Sequence, residues 1–368
     1  MIPAENAHLY VAAFSHKGMK KGKINEDRYA ISSFQFSEDD STPVLFAVVS
    51  DGIGGHLAGE VAAEMVVNYV SQAVADSNGE NPLETIAIAV DAANEAIVGL
   101  AEDDMHKQGM GATCVCVWVI DNRLYAGYVG DSRLYLMHGA SIQQLSIDHT
   151  WIQEAMEKGV ITAEQARNHP NVHVIRRYIG STPEPDVDFR LRLHAEQNDD
   201  EMLGNQGLLL QGGDTLLLCS DGLTDLVWND EILEIVRAKK DLKTAAQALV
   251  ELANERGGHD NSTVVLLGVP KQQKKHLLKK LPLGWLIAGV VGFLAIVSSV
   301  IAFIWYLTQP VAPPMPSMTA TISILTETMR PSETPLPPTV TLAPMQTSTP
   351  RPTQGPTYTP WPTNTPEN

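Results

Sequence analysis

The chain has few cysteines for its length. Of 368 residues only three are cysteines, Cys114, Cys116 and Cys219, and all three lie in apolar, strand-like runs. We expect buried free thiols in a reducing compartment. No histidine or further cysteine accompanies them, so a metal role for the thiols is not expected.

Basic residues are also scarce. Residues 1–270 contain 19 Lys and Arg against 40 Asp and Glu, a net charge of −21. A segment this acidic is a poor nucleic-acid binder and is suited to cation capture, although most of these charges are expected to be solvated surface. About 270 residues are enough for one large core or two small ones.

Four short acidic motifs stand out against this background. They are Ser50-Asp51-Gly52, Gly130-Asp131-Ser132-Arg133, Ser220-Asp221-Gly222 and His259-Asp260-Asn261-Ser262. The first three follow apolar or β-prone runs and the fourth precedes one, which places each carboxylate at a sheet edge. One such motif alone is equally well turn chemistry. Four together favour a hard cation, and ligands without His or Cys favour Mg²⁺ or Mn²⁺ over Zn²⁺.

Apolar patterning predicts a mixed α+β domain. Strands are predicted near 8–15, 28–34, 44–50, 112–120, 123–129, 132–138, 214–220 and 262–269, and helices near 58–76, 82–103, 149–158, 162–168, 230–239 and 242–255. Several strands are continuous apolar runs, so both of their faces should be covered. Strands inside helical layers suggest a sandwich. The region 141–213 is the least regular.

Six motifs follow one another along the chain: Asn25-Glu26-Asp27-Arg28, Asp51-Gly52-Ile53-Gly54-Gly55-His56, Gly111-Ala112-Thr113, Gly130-Asp131-Ser132-Arg133, Ser220-Asp221-Gly222 and Asp260-Asn261-Ser262-Thr263. In this order they resemble the PP2C (PPM) family of metal-dependent protein Ser/Thr phosphatases, in its bacterial form. The resemblance covers about residues 8–269. It implies an αββα sandwich, a central β-sandwich flanked by helices, with a metal site at one end. It also implies a mobile flap at about residues 150–180, called the flap segment below.

The resemblance implies a ligand set for two Mn²⁺ or Mg²⁺ ions and a third, weaker one. Asp51 would bridge two ions, with the Gly52 carbonyl on one and Asp221 and Asp260 on the other. Asp131, together with Asp221, would hold the third ion. Two adjacent cations activate a water for in-line phosphoryl displacement. Neither a Ser-His-Asp arrangement nor a Cys-x₅-Arg loop is apparent that would argue for a covalent phosphoenzyme.

Other residues around this set are less sharply defined. Glu26 and Asp27 would order metal-bound waters from outside the ligand set. Many family members have an Arg four residues before this Glu, but here Gly22 stands there, so Lys21 or Lys23 is the candidate phosphate-binding residue without the bidentate fork.

Four histidines and a threonine complete the candidates. In the animal branch of the family, a His directly after Asp-Gly is a candidate general acid. Here Ile53 stands in that place and His56 lies further on, so simple packing beside its glycines is the favoured alternative for His56. Thr113 is equally well a core hydroxyl or a functional one. His149, His169 and His173 are expected to be ordinary surface or loop residues.

The last third of the chain is different in kind. Leu283–Leu307 is 25 residues without a charge, which as a helix would reach ~38 Å against the ~30 Å that a membrane core needs. Lysines crowd the basic juxtamembrane stretch 271–282, and the next basic residue is Arg330. The positive-inside rule then predicts a single-pass protein of the cell membrane, with the phosphatase domain in the cytoplasm and the C-terminus outside. No signal peptide is visible at the N-terminus.

Residues 308–368 contain 15 Pro and 15 Thr and no Lys. Such a tail is expected to be disordered, with polyproline II character. The predicted organisation is therefore a PP2C-like domain at 1–270, a basic stretch at 271–282, a transmembrane helix at 283–307 and a Pro/Thr-rich tail at 308–368.

Three readings of the function remain open. In the first, an active phosphatase dephosphorylates phosphoserine and phosphothreonine in proteins and counteracts membrane Ser/Thr kinases. In the second, the same fold acts on another phosphoester. In the third, the domain is a non-catalytic membrane sensor or scaffold, against which the full set of acidic ligands argues.

Overall fold

A computed structural model describes residues 1–54, 58–166, 169–271 and 283–308. The chain divides into two compact units, Met1–His276 and Leu277–Asn368. The first unit contains every candidate site residue.

The described helices and strands are numbered in chain order. The strands are β1 Ile2–Pro3, β2 Tyr10–His16, β3 Arg28–Gln35, β4 Pro43–Ser50, β5 Gly52–Ile53, β6 Gly111–Ala112, β7 Cys114–Ile120, β8 Arg123–Val129, β9 Arg133–His138, β10 Ser141–Gln144, β11 Leu208–Leu209, β12 Thr215–Cys219 and β13 Ser262–Gly268. The helices are α1 Gly59–Asp76, α2 Pro82–Asp103, α3 Trp151–Glu157, α4 Ala163–Ala166, α5 Asp199–Leu203, α6 Asp221–Thr224, α7 Asn229–Ala238, α8 Leu242–Glu255 and α9 Leu283–Leu307.

Two antiparallel sheets form the centre of the first unit. One has six strands in the order β1-β3-β4-β7-β8-β11, and the other has five in the order β10-β9-β12-β13-β2. A small separate pair joins β5 to β6.

The alternation of side chains along β4 shows how the layers stack. Val44, Phe46 and Val48 belong to the core shared with α1 and α2, whereas Leu45 and Ala47 face the core between the two sheets. Because successive strand residues point to opposite faces, β4 is buried on both sides. A third core joins the second sheet to α7 and α8. The order of layers is helices, sheet, sheet, helices, so the predicted α+β sandwich is confirmed.

The eight predicted strands are all present, and so are all six predicted helices of this unit. The helix predicted from residue 149 begins at Trp151 instead, because the Thr150 side chain accepts a hydrogen bond from the Gln153 amide and caps it. The two-residue strands and the short helices α5 and α6 were not predicted, since periodicity needs a longer run. The cysteines Cys114, Cys116 and Cys219 are buried free thiols.

The second unit contains α9, whose 25 residues coincide with the predicted segment. The side chains of α9 are described from Gly292 onward. Over the residues described in this way, no helix is long and apolar enough to cross a membrane. A helix is therefore present at 283–307, and its crossing of a membrane stays a prediction. Of the basic stretch predicted at 271–282, residues 272–282 lie outside the described residues, and so do residues 309–368 of the tail predicted at 308–368.

Candidate metal centre

The acidic motifs lie at one end of both sheets because their strands start or stop there in register. Ser50, the last residue of β4, pairs with Arg28, the first of β3, so Asp51 and Asp27 are neighbours. Cys219, the last residue of β12, pairs with Val264 at the start of β13, which brings Asp221 and Asp260 together. Strand pairing thus collects carboxylates that are up to 233 positions apart in the chain.

A close backbone contact tightens this arrangement. A Cβ atom at Gly222 would overlap the backbone of Asn261, so only glycine allows the start of α6 to approach the segment before β13 so closely. This contact explains why the Gly of Ser220-Asp221-Gly222 belongs to the motif.

Thr113 holds the Asp51 loop. Its Oγ1 accepts a hydrogen bond from the Asp51 amide at 2.9 Å, and its own amide donates to the Asp51 carbonyl at 2.9 Å. The same Oγ1 lies 2.7 Å from the Ser132 Oγ, next to Asp131. The completely buried hydroxyl therefore ties two of the acidic loops together, which is a positioning task rather than simple core filling.

Asp27 and Asn261 fix the opposite side of the centre. The Ser220 Oγ donates to the Asp27 carboxylate at 2.8 Å and accepts from the Thr263 amide at 2.9 Å. The Asn261 Oδ1 accepts from the Glu26 amide at 2.8 Å, and its Nδ2 donates to the carbonyls of two residues in the 17–24 loop. Asn261 is therefore a staple between β13 and the loop that carries Glu26 and Lys23.

The electrostatics show how crowded the carboxylates are. Burial, followed by the charges of Asp27, Asp221, Asp131 and Asp260, holds the pKa of Asp51 well above its ordinary value. Burial and then the charges of Asp225 and Asp260 raise the pKa of Asp221 to about 6. Burial raises the pKa of Asp27 to about 7, and the charges of Asp221 and Asp260 add to it. Burial and the charge of Asp221 also hold the pKa of Asp131 well above its ordinary value.

These residues fit the predicted divalent cations. Asp27 Oδ1 and Asp221 Oδ1 are buried and accept no hydrogen bond from the described residues, although a buried carboxylate oxygen normally has a partner. Mutual repulsion among four carboxylates is relieved by a positive charge placed between them. An all-oxygen set of carboxylates and a Gly52 carbonyl is the donor chemistry of Mn²⁺ or Mg²⁺.

An open cavity of about 600 Å³ leads to this cluster, and its lining includes Asp51, Gly52, Asp221, Asp260 and Lys23. Asp131 does not line it and is only 8 % exposed. Lys23 Nζ contacts the Asp260 carboxylate. Lys21 is exposed and does not line the cavity. Of the two candidate phosphate-binding lysines, the fold brings only Lys23 to the centre.

Two further residues lie near the cluster: Asp225, which was not among the predicted site residues, and His173, which was expected to be an ordinary surface or loop residue. His173, Asp225 and Asp221 each offer a ligand atom within 4.8 Å of the others, and His173 Nδ1 lies 3.4 Å from Asp225 Oδ2. The spacing Asp221 to Asp225, one turn of a helix, was the available signal for the second carboxylate. Nothing in the sequence placed His173 of the flap segment beside it. The candidate general acid His56 lies outside the described residues.

The expectation for His149 was only half right. It lies in the loop between β10 and α3, as expected, but it is not a surface residue: it is only 7 % exposed and stacks on Tyr128 with ring centroids 5.4 Å apart. Burial lowers the pKa of its imidazole, which favours the neutral ring. A single histidine in an irregular region gave no sign of this, because its partners are far away in sequence.

The comparisons with known proteins agree with this fold and this cluster. A family model described as protein phosphatase 2C matches residues 16–261, more than half of the chain. The chain belongs to the protein phosphatase 2C family. The prediction of an enzyme that is a serine/threonine protein phosphatase is thereby confirmed.

Named relatives give the same result. The serine/threonine phosphatase stp of Listeria monocytogenes is 34% identical over 261 residues, which are 69% of this chain and 95% of that protein. The serine/threonine protein phosphatase PstP of Mycobacterium tuberculosis is 35% identical over 262 residues, 71% of this chain and 45% of that protein.

Solved structures share the fold. The M. tuberculosis phosphatase PstP/Ppp superimposes with a TM-score of 0.59 at 32% identity and covers 71% of this chain and 99% of its own. The PstP catalytic domain in complex with 2 manganese ions gives a TM-score of 0.57 at 32% identity, covering 72% of this chain and 99% of its own.

Proposed function

We propose that this enzyme hydrolyses phosphoserine and phosphothreonine in proteins at a centre of two Mn²⁺ or Mg²⁺ ions. Asp51, the Gly52 carbonyl, Asp221 and Asp260 would hold the two ions, and Asp131 with Asp221 would hold a third, weaker one. The observation that carries the proposal is the meeting of four carboxylates from four separate strand ends, two of them with raised pKa values and open to a common cavity.

The chemistry of the site divides between the cations and the chain. When bound, paired divalent cations would stabilise the charge of an in-line phosphoryl displacement and would lower the pKa of the attacking water. The chain itself holds the backbone of Asp51 through Thr113 and the neighbouring Asp27 carboxylate through Ser220, so the spacing of the site does not have to be established at each turnover.

Lys23 is the positive group best placed to meet the substrate phosphate. It lines the cavity, and its ammonium already lies at the edge of the cluster on Asp260. Three residues of the segment 172–175, namely Val172, His173 and Ile175, line the same cavity from the flap side. A phosphorylated side chain entering between Lys23 and this segment would reach the carboxylate cluster with its phosphate first.

The test is metal-dependent phosphate release by the full-length chain in detergent. A phosphothreonine peptide should be hydrolysed with Mn²⁺ or Mg²⁺, and the hydrolysis should stop in EDTA and return when Mn²⁺ is restored. Full turnover in EDTA would overturn the metal mechanism. A folded protein that binds Mn²⁺ but never releases phosphate would instead favour a non-catalytic sensor or scaffold.

A second arm separates substrate classes. The same enzyme is offered a phosphothreonine peptide and small phosphate monoesters at equal concentration. A higher kcat/KM for the peptide supports the phosphoprotein substrate. Preference for a small monoester would favour the alternative of another phosphoester.

The proposal includes attachment to the cell membrane and opposition to membrane Ser/Thr kinases. It rests on the sequence: 25 uncharged residues at 283–307, preceded by Lys271, Lys274, Lys275, Lys279 and Lys280 and followed by no basic residue before Arg330. In this arrangement residues 1–270 lie in the cytoplasm and the tail lies outside.

Protease added to intact cells tests this topology. It should shorten the tail and leave a membrane-bound fragment with phosphatase activity. Digestion of the phosphatase domain would show that the orientation is the reverse of the one proposed. Recovery of the intact chain in the soluble fraction would show that residues 283–307 do not anchor it. Loss of the phosphorylated state of a co-expressed membrane kinase, seen with the wild-type enzyme and not with Asp221→Asn, would support the kinase partner.

A further inference from the structure

The turn that presents Asp131 is held by one buried histidine. Gly130 connects β8 to Asp131 with φ at +105°, and a Cβ atom there would lie 2.6 Å from the Thr113 side chain. Both of its backbone polar groups are bound to His149: the Gly130 amide donates to His149 Nδ1 at 3.0 Å, and the His149 amide donates to the Gly130 carbonyl at 3.0 Å.

The far side of the imidazole is fixed as well. An amide can only donate, so Nδ1 is the acceptor and the ring proton sits on Nε2, which faces Asp188 Oδ2 at 3.2 Å. Arg190 in turn donates to Asp188 from its Nε at 3.0 Å and from its own amide at 2.9 Å. The ring therefore has one orientation and one tautomer.

Asp148, the residue before His149, holds the other end of the same turn. Arg133, two positions after Asp131, donates to both oxygens of Asp148 from Nε at 3.0 Å and to one of them from Nη2 at 2.6 Å. Asp148 and His149 thus bracket the buried Asp131 between two fixed points, Gly130 and Arg133.

His149 and the two residues after it also contact the C-terminal part of the flap segment. The His149 carbonyl accepts from the Arg176 amide at 2.7 Å, Thr150 pairs with Ile175, and the Trp151 amide donates to the Val174 carbonyl at 2.9 Å. Ile175 lines the cavity over the carboxylates. One residue therefore connects the Asp131 turn with the side of the cavity where substrate would enter.

From this geometry we infer that His149 is a positioning residue, which sets the Asp131 carboxylate for the third, weaker cation by holding the Gly130 backbone. The inference rests on the proposed function, in which Asp131 is a cation ligand. Of the two contacts by which His149 holds Gly130, only the one at Nδ1 belongs to the side chain. The positioning role therefore predicts a loss when that acceptor is removed, whereas a purely structural role predicts similar losses whichever ring nitrogen is replaced.

Two near-isosteric variants separate these roles. His149→Asn puts an amide oxygen at the place of Nδ1 and keeps the acceptor for Gly130. His149→Gln reaches toward Asp188, in the manner of Nε2, and loses that acceptor. Mn²⁺ binding to the full-length protein is measured by calorimetry, with Asp131→Ala as the reference for loss of the weak ion and with the melting temperature as the check on folding.

His149→Gln should weaken the weak Mn²⁺ by about 10- to 100-fold, as removal of a group that orients a ligand does, and His149→Asn should stay close to the wild type. Combining His149→Gln with Asp131→Ala should weaken binding no further than Asp131→Ala alone. Equal effects of Asn and Gln, or an additive double variant, would overturn the positioning role.

Amide exchange at Gly130 provides a second readout that needs no metal. In the metal-free protein, Gly130 should be protected in the wild type and in His149→Asn and should exchange faster in His149→Gln. If His149→Gln does not fold, Arg133→Lys loosens the other end of the turn without changing His149 and should lower the affinity for the weak Mn²⁺. Unchanged affinity in Arg133→Lys would overturn the inference that the fixed ends of this turn set Asp131. If the wild type binds no Mn²⁺, the proposed function itself is wrong. If binding at the weak Mn²⁺ site is lost in Asp131→Ala but kept in His149→Gln, only this inference is wrong.

Discussion

The two ends of strand β12 each carry an aspartate, and the chain treats them in opposite ways. Asp214, just before the strand, has both oxygens occupied: Oδ1 lies 2.6 Å from His138 Nδ1, and Oδ2 accepts from the Gln211 amide at 2.8 Å. Asp221, just after it, has a buried Oδ1 that accepts no hydrogen bond from the described residues and a pKa raised to about 6 by burial and neighbouring charge.

The difference separates stability from function on one strand. A satisfied carboxylate holds its turn and contributes to folding. An unsatisfied one among other carboxylates costs folding energy in the absence of a cation, and such a cost is typical of functional sites. A substitution at Asp221 should therefore lower activity, whereas a substitution at Asp214 should lower stability and leave activity unchanged.

The largest expected effect is on turnover. Asp221→Asn should lower kcat for a phosphothreonine peptide at saturating Mn²⁺ by more than about a hundredfold, because a ligand shared between cations contributes several kcal/mol. The matched variant Asp214→Asn should keep kcat per folded molecule and lose about 1–3 kcal/mol of unfolding free energy. Wild-type turnover in Asp221→Asn would show that the two ends do not differ.

The sequence allowed the Asp221 end of β12 to be singled out but not the Asp214 end. An Asp after an apolar or β-prone run, repeated three times, predicts carboxylates at strand ends, and antiparallel pairing then has to bring them together. Asp214 follows glycines and precedes the strand, a pattern that indicates an ordinary turn. Its partner His138 is 76 positions away, so the sequence gives no sign of their contact.

The layers were predictable for a similar reason. Continuous apolar runs such as β4 require cover on both faces, which favours helices outside two sheets. The flap segment was not predictable in detail, because its contacts are single long-range bonds, such as Arg176 to His149, rather than a repeating pattern. The nearness of His173 to Asp225 and the burial of His149 arise from these bonds.

The second effect concerns metal and stability. Mn²⁺ should raise the unfolding free energy of the wild type and of Asp214→Asn, by about 2.7 kcal/mol at a hundredfold excess over the dissociation constant. Asp221→Asn should gain clearly less, since it has lost a ligand. Thermal unfolding with and without EDTA measures all three proteins, and an equal gain in all three would place the cation elsewhere.

The third effect is the pH dependence of the metal-free protein. The pKa of Asp27 is raised to about 7 in the fold, against about 4 in an unfolded chain. Between these values the folded protein binds more protons than the unfolded one, so this group stabilises the fold at low pH and the contribution is lost as pH rises toward 7.

Urea unfolding in EDTA from pH 5 to 7.5 measures this slope. The unfolding free energy of the wild type should fall relative to that of Asp27→Asn, by at most about 1.4 kcal/mol per pH unit. Asp214→Asn should keep the wild-type slope, because its carboxylate lies at the other end of the strand. A difference that stays constant from pH 5 to 7.5 would mean that Asp27 is already charged in the metal-free fold over this range.

The smallest expected effect is on substrate affinity, and it asks whether the Asp221 end also binds phosphate. Lys23→Met keeps the length of the stem and removes the charge beside Asp260, so it should raise KM for the phosphothreonine peptide by a few-fold, about 1 kcal/mol, with a smaller change in kcat. Lys21→Met is the matched control, since Lys21 is two positions away, exposed and outside the cavity lining. Steady-state kinetics at saturating Mn²⁺ separates the two lysines. Equal KM values for both variants and the wild type would mean that phosphate is bound at this end by the cations alone, and that Gly22 marks a real loss of the family's positive group.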